Sequence, residues 1–121
     1  MVRGVSNSKE KIRFDAVYEK GKSWPGKEIV IRALPNAQSS SRLGFVVSRR
    51  VGKAVVRNRI KRLLREIVRH TPVKQGWDIV FIARVPAAGV GYKDLEKTVR
   101  ALLFQAGLCV GVNEENSSGI N

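Results

Sequence analysis

A chain of 121 residues suits one compact domain with a single core. With 43% hydrophobic and 27% charged residues, wholesale disorder and a fibrous repeat are both excluded. The 23 Lys and Arg against 10 Asp and Glu leave a net charge of +13, which favours a polyanionic partner, either nucleic acid or an anionic membrane surface. No apolar stretch approaches the roughly 20 residues of a spanning helix. Met1 to Ile12 lacks the apolar core of a secretory signal. The lone Cys109 closes no intramolecular disulfide, and with the lone His70 it assembles no Cys/His metal site. A cytoplasmic, reducing compartment is the expectation. The domain is expected to span 1–121, with its core at about 8–108 and a frayed polar tail at 109–121.

In chain order, Ser8 to Lys20 reads as a short helix, with Ser8 as N-cap, Ile12, Ala16 and Val17 inward, and Gly21 as terminator. Trp24, Pro25 and Gly26 break the chain, and Glu28 to Leu34 is β-branched enough for a strand. A polar turn, Pro35 to Ser41, leads into a second strand, Leu43 to Ser48, and the two are expected to pair as an antiparallel hairpin. Val55 to Arg69 reads as a helix, with Val56, Ile60, Leu63, Leu64 and Ile67 on one apolar stripe. Trp77 to Arg84, nearly continuous in apolar residues, is expected to be a central strand. After a loop at Pro86 to Gly91, Asp94 to Ala106 carries Leu95, Val99, Leu102 and Leu103 at helical spacing and ends near Gly107.

The charge is concentrated. Arg42 to Arg69 holds ten basic residues and one acid, Glu66, so that +9 of the net +13 falls in 28 residues. On the basic helix Arg57, Lys61, Arg65 and Arg69 form one i, i+4 ladder, with Asn58 and Arg62 in a second row beside it. Like charges at this spacing repel by a few tenths of a kcal/mol per pair. A solvated face would be served by mixed Glu and Lys, whereas Arg dominates here, and its planar fork suits phosphate oxygens. Asn58 can fix a loop carbonyl, read a ribose or base edge, or make a local cap contact. Phe14 and Tyr18, at i and i+4, share a face that serves either core packing or base stacking.

The run GFVVSRRVGKAVVRNRIKRLLRE, Gly44 to Glu66, resembles the signature of the bacterial ribonuclease P protein component, with Arg57-Asn58-Arg59 at its centre. FDAVYEKG, with Phe14, Val17, Tyr18 and Gly21, is similar to that family's aromatic N-terminal helix, and DIVFIARVPA to its last strand and following turn. The resemblance runs from about Phe14 to Leu108. Ser8 stands where the family often has an aliphatic residue, and the tail after Leu108 matches no pattern.

The resemblance implies an α/β (α+β) two-layer sandwich in αβββαβα order. Its small mixed sheet has about four strands, helices on one face and a left-handed βαβ crossover. It implies the protein subunit of a ribonucleoprotein that removes the 5′ leader from precursor tRNA, with the chemistry carried by the RNA and its Mg²⁺. No catalytic or metal-binding residue and no bound cofactor is expected of the protein itself. The catalytic RNA would be held by Arg49, Arg50, Lys53, Arg57, Asn58, Arg59 and Arg62. The single-stranded leader would lie in a cleft lined by Phe14 and Tyr18, with Lys61 and Arg65 on its phosphates. The expected partners are the ribonuclease P RNA and precursor tRNA, with no membrane and no obligate protein partner. The alternative is a structural RNA-binding protein, either ribosomal or an RNA chaperone. Trp24 and Trp77 are assigned to packing or strand ends, His70 to the helix end, and Cys109 to a semi-buried position.

Overall fold

The computed structural model describes residues 12–110. Its elements run α1 (Phe14–Lys20), β1 (Lys22–Pro25), β2 (Ile29–Pro35), β3 (Arg42–Val47), α2 (Ala54–Arg69), β4 (Trp77–Ala83) and α3 (Tyr92–Gln105). Short 3-10 turns at Arg49–Val51 and Val85–Gly89 lead into α2 and α3. The order is the αβββαβα expected from the resemblance. Ser8, assigned as the N-cap of the first helix, lies outside the described residues, and α1 begins after Arg13, which makes no side-chain cap bond.

The strands form one mixed sheet in the order β1-β2-β4-β3. This corrects the hairpin expected between Glu28 to Leu34 and Leu43 to Ser48. β2 instead pairs antiparallel with β1 on one side and with β4 on the other, and β3 runs parallel to β4. The physical reason is the burial of β4. Asp78, Ile79, Val80, Phe81 and Ala83 are all buried, which requires a central position with both edges paired. The connection after β2 is long enough to let β4 pass between its neighbours. Its residues bind the segment that leads into β4: Asn36 N–H donates to the Gly76 carbonyl at 2.8 Å, and Ser41 Oγ donates to the Lys74 carbonyl at 2.6 Å. The Trp24-Pro25-Gly26 break also needs correcting, since Trp24 and Pro25 end an edge strand, where a missing N–H is tolerated.

Alternation along the strands divides the sheet into two faces. Ile29, Ile31, Ala33, Val47, Ile79, Phe81 and Ala83 face α2 and α3 and join Ile60, Leu64, Ile67, Leu95, Val99, Leu102 and Leu103 in one core. The stripes assigned from sequence to both long helices are therefore the buried ones, with Val56 and Leu63 half-buried at the margin of α2. Trp24 and Trp77 pack against this core from the strands. Helices on one face describes α2 and α3. The short α1 covers the other face, because Arg32 and Gly44 alternate outward from the core and meet it.

α3 closes with a Schellman arrangement: Leu108 N–H donates to the Leu103 carbonyl at 2.9 Å, and Gly107 N–H to that of Phe104 at 3.0 Å. Gly107 takes a φ of +72°, which glycine adopts without the Cβ penalty. Beyond it, Cys109 bridges to Val73 and Val110 N–H donates to the Pro72 carbonyl, so the first two residues of the expected tail are held. The rest of that tail lies outside the described residues.

One polar cluster fixes the start of β3. Asp78, only 3% exposed, accepts two hydrogen bonds from Arg42, Nε and Nη2 each at 2.8 Å, and a third from Asn36 at 3.0 Å. Breaking a buried pair leaves one charge without its partner, so Asp78→Asn should destabilise the fold by about 3 kcal/mol. Urea denaturation checks this, and a loss below about 1 kcal/mol would contradict a structural role for the pair.

Candidate nucleic-acid interface

α2 is oriented by its apolar stripe. Ile60, Leu64 and Ile67 are completely buried, and the other residues follow at about 100° each. Arg57, Lys61, Arg65 and Arg69 then climb one flank, with Asn58 and Arg62 on the outermost row. Arg59, about 200° from Arg57, falls on the opposite flank. The structure therefore divides the expected RNA-binding set. Arg49, Arg50, Lys53, Asn58 and Arg62 are exposed, whereas Arg57 and Arg59 are half-buried and tied to backbone. Arg57 Nε donates to the Gly52 carbonyl at 3.0 Å and holds the preceding turn, and Arg59 Nη2 donates to the Val90 carbonyl at 3.2 Å.

The turn before α2 adds to the positive field. Val51 is buried and anchors it, leaving Arg49 and Arg50 outward, with Lys53 at the N-cap. The first turn of α2 has no acidic residue and no side-chain cap bond, so cations crowd the positive end of the helix dipole, which disfavours them. Among the described residues, Arg49, Arg50, Lys53, Lys61, Arg62 and Arg65 have no carboxylate partner. Glu66 faces Arg69 at 3.5 Å and His70 at 3.6 Å. Charge counting overstated the cluster in one respect, because Arg42 belongs to the buried pair with Asp78. Asn58 makes no side-chain hydrogen bond among the described residues, so a local cap is not its role.

Phe14 and Tyr18 are brought together on α1, with ring centroids 6.5 Å apart. They are 37% and 43% exposed, so part of each ring is open to solvent. Phe14 lies over Gly44 of β3, where a Cβ would come within 2.8 Å of the ring, so glycine is required for this approach. The next residue, Phe45, faces the other side of the edge strand. It stacks on Phe81 at 5.4 Å and carries the Arg65 guanidinium 5.8 Å from its centroid. The aromatic pair and Arg65 thus approach the same edge strand from its two faces. Lys61 lies one turn before Arg65 on the same flank and is half-buried.

Sequence reading missed Arg32. Its guanidinium reaches the carbonyl of Tyr18 and lies 5.8 Å from the centroid of that ring. A cation at an alternating position within the apolar run IVIRAL was the available signal. Two other residues stand apart from this face. His70 caps α2, its Nδ1 3.1 Å from the Glu66 carbonyl oxygen, and burial raises the Cys109 pKa against the lowering effect of Arg100. Among the described residues no three of His, Cys, Asp and Glu gather in a group able to hold a metal ion, and no helix is long and apolar enough to cross a membrane.

Comparison with known proteins agrees with this geometry. The family model described as Ribonuclease P matches residues 7–107. The chain is 48% identical over 105 residues to the ribonuclease P protein component of Dehalococcoides mccartyi, covering 87% of this chain and 88% of that protein. Among solved structures, it resembles the RNase P protein from Thermotoga maritima with a TM-score of 0.72 and 34% identity, covering 78% of this chain and 94% of that one. It also resembles the Staphylococcus aureus RNase P protein with a TM-score of 0.70 and 33% identity, covering 77% of this chain and 87% of that one. With the signature helix, the sheet order and a match along most of its length in agreement, the chain belongs to the ribonuclease P protein family.

Proposed function

We propose that the chain is the protein subunit of a ribonuclease P ribonucleoprotein, which assists removal of the 5′ leader from precursor tRNA. One surface, formed by Arg49, Arg50, Lys53, Arg57, Asn58, Arg59 and Arg62, holds the catalytic RNA. A second, running along the β3 edge with Phe14 and Tyr18 on one side and Lys61 and Arg65 on the other, holds the leader. The observation that carries this reading is the set of exposed Arg and Lys around the start of α2 that lack carboxylate partners among the described residues. Arg forks bind phosphate oxygens in two-point contacts, and aromatic rings stack bases at roughly 1 to 3 kcal/mol each without reading their identity. A sequence-tolerant grip suits leaders that differ from one precursor to the next.

Hydrolysis of the phosphodiester is assigned to the RNA and its Mg²⁺. Among the described residues no three carboxylate, His or Cys groups gather to hold that ion. The protein's contribution is to neutralise and orient phosphates, which lowers the Mg²⁺ concentration that the RNA needs. Added to a matched ribonuclease P RNA at low Mg²⁺, the protein should restore leader removal. Failure to do so would favour a structural RNA-binding protein, and cleavage by RNA-free protein would point to a nuclease in its own right.

The two kinds of arginine should behave differently. Removing the exposed set together, Arg49→Ala, Arg50→Ala and Arg62→Ala, should reduce the slope of log affinity against log salt by about 2 to 3 without lowering the melting temperature. Arg59→Ala should also cost about 1 kcal/mol of stability through loss of its bond to the Val90 carbonyl. Salt-titrated RNA binding and thermal melts measure both, and an unchanged salt slope in the triple variant would contradict the assignment.

A further inference from the structure

α1 has only seven residues and no side-chain N-cap, and isolated helices shorter than about 12 to 15 residues are marginal in water. Its position therefore depends on what holds it to the sheet. Val17 is one anchor, fully buried. The other is Arg32 of β2, which points away from the core because its neighbours Ile31 and Ala33 point into it. Its Nη2 is shared among the carbonyls of Val17 at 3.3 Å, Tyr18, and Gly21 at 3.4 Å. These lie at the C-terminal end of α1, where the dipole favours a cation; the Val17 carbonyl also accepts from the Gly21 N–H at 2.9 Å. Arg32 Nε is buried with no hydrogen-bond partner among the described residues, a cost that the carbonyl bonds offset. The same guanidinium lies 5.8 Å from the centroid of the Tyr18 ring, which remains 43% exposed.

We propose that Arg32 is a positioning residue for single-stranded RNA. By tying the last turn of α1 to β2 and lying against Tyr18, it sets that ring before a base arrives. The inference rests on reading Phe14 and Tyr18 as the leader grip. Its physical content is preorganisation: a ring already fixed loses less freedom on binding, so more of the stacking energy appears as affinity. Arg32 itself touches no base in this scheme and acts through Tyr18.

The test uses the protein assembled with a matched ribonuclease P RNA and compares binding of precursor tRNA with binding of leaderless tRNA. Arg32→Met should weaken precursor binding about tenfold, equivalent to ~1.4 kcal/mol, while leaderless tRNA binds as before. Arg32→Lys keeps a cation near the carbonyls without the planar fork, so it should fall between the two and serves as the comparison if Arg32→Met does not fold. In a Tyr18→Leu background, either Arg32 substitution should add little further loss, because both changes remove the same contact. Equal weakening on both RNAs, full additivity with Tyr18→Leu, or no weakening would each overturn the inference. A wild-type assembly that binds precursor and leaderless tRNA equally would overturn the leader grip and this inference together. Loss of the leader preference in wild type is thus distinguishable from its retention in the Arg32 variants.

Discussion

The burial of Ile60, Leu64 and Ile67 against the sheet fixes the rotation of α2, and with it the direction of every charged residue on that helix. Each such side chain contributes about 1.5 to 3 kcal/mol on leaving water, whereas each like-charge pair at i, i+4 costs a few tenths. Burial therefore decides the orientation, and the repulsion along Arg57, Lys61, Arg65 and Arg69 is tolerated in the free protein. Because the core fixes the helix, the positive face exists before any RNA arrives. Arg57 extends this order into the preceding turn through the Gly52 carbonyl, so that Arg49 and Arg50 stand at a fixed place relative to α2.

The edge strand β3 joins the two proposed surfaces. At its start, Arg42 and Asp78 secure it to β4, and further along it carries Phe14 on one face and Phe45 with Arg65 on the other. An RNA strand following this edge would meet stacking rings and cations within a few residues of one another. The opposite edge, β1, carries the hairpin that leads out of α1. The sheet thus carries the short, marginal α1 on one face and the long α2 on the other.

Much of this was legible in the sequence, and the division follows the range of the forces involved. The α2 and α3 stripes could be read because helical periodicity is local: Ile60, Leu64, Leu95 and Val99 reveal their face through their spacing alone. The centrality of β4 was also legible, since a strand apolar on both faces has to be covered on both. Strand pairing was not. β2 and β3 are consecutive, and only the non-local competition won by β4 separates them. The same limit hid the role of Arg42, counted with the free charges until a buried Asp78 took it up, and the reach of Arg32, which matters only once α1 lies across β2. Residue type and spacing left Phe14 and Tyr18 open between packing and stacking, and how far their rings stay exposed depends on where α1 lies against the sheet, which is not local information.

The central claim is that the cations around the start of α2 form a preformed polyanion site, held open at a cost to the free protein. The most direct measurement is the melting temperature in sulfate against chloride at matched ionic strength, for the wild-type chain and for the chain carrying Arg49→Ala, Arg50→Ala and Arg62→Ala. Sulfate should raise the wild-type melting temperature clearly more than that of the triple variant, because an anion bound only by the folded state stabilises it by mass action. An equal rise in both chains would mean that these arginines hold no anion together, and the account would fail.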